Sequence, residues 1–167
     1  MEDIAEAMAR SAECANPKEV WRLIERISAG TIGWRLFTIL RYVEAEATVE
    51  RLYSSDEKTY PVGGRKPLSK TTANHAAMEK GEVFLAATKE SVRRTFPDHE
   101  LLFALGITAI LNLPIRYAGR RLGTMNLCGE EGTYGAVQIA RGKILAGLLV
   151  PTLLQAKGPP GDKHAAF

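Results

Sequence analysis

With 167 residues, 46% of them apolar and 25% charged, the chain can bury one substantial hydrophobic core but hardly two, which predicts a single domain. Lys and Arg outnumber Asp and Glu by only 22 to 19, and the basic pairs Arg65-Lys66, Arg93-Arg94 and Arg120-Arg121 fall in separate segments, so no phosphate-tracking stripe and no nucleic-acid partner is expected. Two cysteines, Cys14 and Cys128, make no disulfide framework, residues 1–10 lack the basic and apolar regions of a leader, and no apolar run reads as a membrane span; a cytoplasmic chain without a membrane partner is the expectation.

Residues 2–13 are Ala-rich, with helical spacing at Ile4 and Met8, and predict a first helix with a thin apolar stripe. Asn16-Pro17-Lys18-Glu19 marks a second helix start: Asn16 can accept from the first free N–H groups, Pro17 suits the first turn and Glu19 sits where a reciprocal capping contact forms. Val20, Leu23, Ile24 and Ile27 give this helix one apolar face, and Gly30 is placed to end it. Apolar residues of both parities over 34–43 predict a strand covered on both faces. Residues 45–47 are short enough for a hairpin connection to a more regularly alternating strand over 48–53. The breakers of Pro61-Val62-Gly63-Gly64-Arg65-Lys66-Pro67 predict a loop.

A short helix follows over 69–80, then a strand around Val83, Phe84 and Leu85. Thr88 is expected to cap a helical turn that Phe96-Pro97 breaks, and Asp98 to cap a second piece ending before Gly106. Alternation through Ala109, Leu111, Leu113 and Ile115, a turn at Tyr117-Ala118-Gly119-Arg120, and extended spacing from Leu122 to Cys128 predict a hairpin at the sheet centre. Pro114 lacks the N–H a central ladder needs, so a free side or a bulge is expected there. Residues 134–156 predict one long final helix with Pro151 as a weak point, and residues 157–167 a disordered tail after a domain spanning 1–156.

The hairpin, with its x-Pro-Ile strand end, short basic turn and Leu122-Gly123-x-x-Asn126-Leu127 return, is similar to the signature hairpin of GAF domains, and Gly81 to Phe84 with Phe96-Pro97-Asp98 resembles the segment before it. The resemblance covers residues 17–154. It implies an α+β, GAF/PAS-like architecture: a central antiparallel β-sheet with terminal helices on one face and pocket-forming helices and loops on the other. It also implies a sensory or regulatory, bacterial-type domain that binds a small organic molecule and signals through a partner or a dimer of its terminal helices.

Residues expected to face such a pocket are Tyr53, Tyr60, His75, Phe84, Arg93, Phe96 and Asn112; Phe84 and Phe96 fit a core equally well, and Arg93 a solvated helix face. Some compact GAF proteins are free methionine-(R)-sulfoxide reductases with several cysteines around the pocket. Residues 53–99 contain none, so no catalytic residue is assigned and Cys128 reads as a small buried apolar residue. A regulatory subunit with a vestigial pocket is the other alternative. His75, His99 and His164 share no ligand spacing, so no metal is expected. The cofactor motifs of the family, a bilin-bearing Cys-His and the Asn-Lys-x-Phe-Asp-Glu of cyclic-nucleotide binders, are missing too, so no cofactor is assigned.

Overall fold

The computed structural model describes residues 4–68 and 79–156. Two helices, α1 (Ile4–Ser11) and α2 (Pro17–Thr31), lead into β1 (Leu36–Val43), β2 (Thr48–Ser54), β3 (Arg65–Pro67) and β4 (Phe84–Ala86). Helices α3 (Lys89–Thr95) and α4 (His99–Ala104) precede the hairpin β5 (Ala109–Tyr117) and β6 (Arg120–Gly129), and α5 (Ala136–Leu148) and α6 (Val150–Gln155) close the chain. The six strands form one sheet in the order β3-β2-β1-β6-β5-β4, antiparallel throughout. The hairpin predicted at the sheet centre is there. The expected 69–80 helix, apart from its end, and the expected tail lie outside the described residues.

One face of the sheet carries Phe37, Ile39, Leu111, Leu113, Met125 and Leu127, all essentially inaccessible, under α1, α2, α5 and α6. Asn16 caps α2 as its position suggests: its side chain accepts from the Glu19 N–H at 3.1 Å while the Glu19 carboxylate reaches back to the Ala15 N–H at 2.9 Å. The helix runs past Gly30. Its stop is Gly33, at φ 88°, whose N–H bonds the Ser28 carbonyl, because only a left-handed residue turns the chain back over the last carbonyls. Trp21 then ties α2 to α6 through the Thr152 hydroxyl at 2.9 Å.

Pro114 is accommodated by strand length. β4 pairs with β5 only as far as Phe84↔Asn112, so by Pro114 that side of β5 has no strand asking for an N–H, and the ladder shifts register just beyond, between Ile115 and Arg116. Arg65–Pro67, read as loop, is instead an edge strand on β2. The final helix breaks at Leu149, beside the weak point expected at Pro151: the Leu149 N–H turns to the Ala146 carbonyl two residues ahead of the proline. The stretch Ala136–Gln155 also reaches span length, 20 residues at mean hydropathy 1.4, against the expectation that no run would. Its Leu145, Ala146, Leu149 and Leu153 pack into the core beneath the sheet.

Candidate functional site

The opposite face of the sheet is a floor of cross-strand rows. Leu36, Cys128 and Ile110 form one; Thr38, Asn126 and Asn112 the next; Arg51, Leu40 and Thr124 the third. Above this floor, α3, the α3–α4 turn and the 60–68 segment enclose a cavity of about 510 Å³. Its walls are mostly apolar, through Leu36, Leu40, Val49, Phe96, Leu102 and Ile110, which is the usual make-up of a small-ligand site of this size.

A bulge decides which residues of β2 reach it. Ile39 pairs with Tyr53 but Leu40 pairs with Arg51, so Leu52 is an extra residue and the strand turns over between Tyr53 and Arg51. Period-two alternation places both on one face; the bulge sends Tyr53 to the helical side and leaves Arg51 over the cavity. Tyr53 packs edge-on against Phe37 with ring centroids 6.0 Å apart and hydrogen-bonds Glu25, so it belongs to the core and not to the cavity. Burial and the Glu25 contact hold its hydroxyl well above the usual tyrosine range.

Arg51 is only 9% exposed. Its backbone bonds both Gly63 and Gly64, its Nη1 donates to the Pro61 carbonyl at 3.1 Å, and its guanidinium lies 5.1 Å from the centroid of the Tyr60 ring. A Cβ on Gly64 would stand 2.9 Å from that Nη1 and 3.3 Å from the Pro61 carbonyl oxygen. Burial lowers the guanidinium's pKa from its ordinary value, and Tyr60 and Asp98 act against that. Asp98, expected to cap α4, makes no capping bond. Its Oδ2 instead accepts from the Tyr60 hydroxyl at 3.1 Å and from Lys66 Nζ at 3.4 Å, joining β3 to the α3–α4 turn across the cavity mouth.

On the floor, Asn126 donates from Nδ2 to the Thr38 hydroxyl at 3.1 Å, while its Oδ1 is buried with no partner among the described residues. Cys128 is buried as well, and desolvation pushes its thiol up to about 12. At neutral pH it is a protonated, unreactive group.

Of the residues singled out from the sequence, Tyr60, Arg93, Phe96 and Asn112 line the cavity. Arg93 sits at the rim with its Nη1 2.7 Å from Glu90, and Phe84 stands behind the wall against Phe96, at a centroid distance of 6.2 Å. His75 lies outside the described residues. Sequence reasoning missed Arg51, Asp98, Thr38 and Asn126. Asn126 had a usable signal, since it shares the strand face of Cys128 and pairs with Asn112; Arg51 had one too, since alternation puts it on the face assigned to Tyr53, and it is Tyr53 that the bulge removes from that face.

No family model and no curated protein sequence matches the chain. Solved structures do. The GAF domain of a phosphoenolpyruvate-protein phosphotransferase from Coxiella burnetii superposes at a TM-score of 0.74 with 14% identity, over 92% of this chain and 91% of that one. The corresponding domain from Acinetobacter gives 0.73 and 13%, over 94% and 95%. The chromophore-binding domain of a bacteriophytochrome from R. palustris gives 0.68 and 13%, over 90% of this chain and 58% of that one. At such identities the likeness is one of fold.

Proposed function

From the GAF-like fold of this chain, we propose that it is a sensory or regulatory domain that binds a small organic molecule in the cavity over Asn126 and Arg51 and reports its occupancy through the terminal helices. The observation that carries this reading is a cavity of about 510 Å³ whose apolar walls surround buried polar groups, Arg51 and Asn126, that the protein leaves incompletely satisfied. A reductase reading finds no support in Cys128, which has a buried protonated thiol and no second cysteine beside it in the cavity lining. Native mass spectrometry of the purified protein tests the proposal. A copurified mass that exchanges on dialysis is the expected result; a chain that stays at its bare mass, even after incubation with metabolite extract, would favour a subunit with a vestigial pocket.

The reporting half of the proposal is a homodimer through the final helices. Val20, Leu23 and Ile27 on α2 are buried inside the domain and leave nothing for a second copy to cover. Among the exposed positions of the final helices, Val137, Ala140, Ile144, Gly147, Pro151 and Leu154 repeat at alternating three- and four-residue steps, with Ala136, Arg141, Lys143 and Gln155 exposed beside them. This is the spacing of a helix–helix seam, and Val137, Ile144 and Leu154 are 57%, 53% and 46% exposed. Two copies packed along it would bury these side chains about a twofold axis.

A further inference from the structure

Arg51 indicates the chemical class of the ligand, an inference that rests on the cavity being a binding site. A guanidinium taken out of water is costly unless a counter-charge and hydrogen-bond acceptors replace the water. Within the described residues Arg51 has one acceptor, the Pro61 carbonyl; its Nε is buried without a partner, and no carboxylate lies within ion-pair distance. Asp98, the one carboxylate in the cavity lining, already holds Tyr60 and Lys66 on its Oδ2. The bulge, the closed loop and the Tyr60 ring hold Arg51 in place although no carboxylate among the described residues lies within ion-pair distance of it.

The remaining lining narrows the class. Lys66, Arg93 and Arg94 stand at the mouth, Lys66 paired with Asp98 and the two arginines sharing Glu90, while the floor itself offers a single positive charge, Arg51. The nearby unpartnered atom is an acceptor, Asn126 Oδ1, which asks for a hydroxyl or N–H on the ligand. Around both is the apolar wall of Leu36, Leu40, Val49 and Ile110. We propose that the site takes a small organic monocarboxylate with an apolar body, its carboxylate on Arg51 and a neighbouring donor group on Asn126. A phosphate monoester, with nearly two charges and three acceptor oxygens, asks for more donors than this floor supplies.

The test is calorimetric titration with matched probes: 3-phenylpropionate, its primary amide and 3-phenylpropylamine, each against the wild type, Arg51→Met and Arg51→Lys. Charge-assisted hydrogen bonds are stronger than neutral ones, so the acid is expected to bind at least about tenfold more tightly than the amide, with the amine weakest. Arg51→Met removes the preference for acid over amide, and Arg51→Lys retains part of it. Should Arg51→Met fail to fold, the acid-to-amide ratio on the wild type decides alone. An amide that binds the wild type as well as the acid does would overturn the inference while leaving the cavity a ligand site. Binding by none of the probes overturns the inference, and the native mass spectrum then shows separately whether the cavity reading survives.

Discussion

Gly123→Ala is expected to destabilise the domain by about 3 kcal/mol or more, the upper part of the range for forced overpacking. At this position a Cβ would stand 1.9 Å from the Leu40 carbonyl oxygen, 2.8 Å from Leu153 Cδ2 and 3.0 Å from Arg41 Cα. Two of these atoms are backbone of β1, which cannot swing aside as a side-chain tip can. Gly123 pairs directly with Arg41 in the β1–β6 ladder, so separating the strands there loosens the sheet under both the core and the cavity floor. A comparison within the chain isolates the cause. Gly142→Ala also creates a short contact, 2.5 Å, but with Leu113 Cδ1, which can rotate, so its cost is expected to be smaller. Urea unfolding of both variants checks this; equal midpoints would mean that close approach to backbone is not what Gly123 provides.

Ile144→Glu is expected to dissociate the proposed dimer, weakening self-association by about a hundredfold or more. Ile144 lies in the middle of the exposed apolar repeat, and burying its exposed half contributes about 0.8–1.5 kcal/mol, counted twice across a twofold interface. A carboxylate in its place adds a desolvation cost to the lost contact. Because Ile144 is 53% exposed within one copy, the substitution leaves the fold of the monomer nearly unchanged, whereas a charge at the inaccessible Leu145 would not. Sedimentation equilibrium of wild type and variant separates the outcomes. A wild type that remains monomeric at high micromolar concentration contradicts the dimer, and a variant that associates like wild type contradicts this face.

The elements were legible wherever local chemistry sets them: the Asn16 cap, the Thr88 cap, and the hairpin turn with positive φ at Gly119 all follow from neighbours in sequence. The site was legible only in part, because its geometry depends on an extra residue in β2. Alternation is a reliable guide to facing until a bulge reverses it, and nothing in Arg51-Leu52-Tyr53 signals one. Asp98 illustrates a second limit. Its position before a helix suggested a cap, yet Tyr60 and Lys66, distant in sequence, draw its carboxylate toward the cavity mouth. The apolar stripe of α2 meets a related limit, since periodicity shows the stripe but not that the domain itself buries Val20, Leu23 and Ile27.

The central claim is a division of labour between the two faces of the sheet, a ligand on one and core-forming helices on the other. Methyl-resolved NMR of the wild type, titrated with 3-phenylpropionate, tests it most directly. Saturable shifts are expected for the methyls of Leu36, Leu40, Val49, Leu102 and Ile110, which line the cavity, with those of Ile24, Ile39, Ile115 and Leu145 on the helical side moving far less. Saturable shifts confined to the helical side, or no saturable shift of any cavity methyl at millimolar probe, would contradict the account.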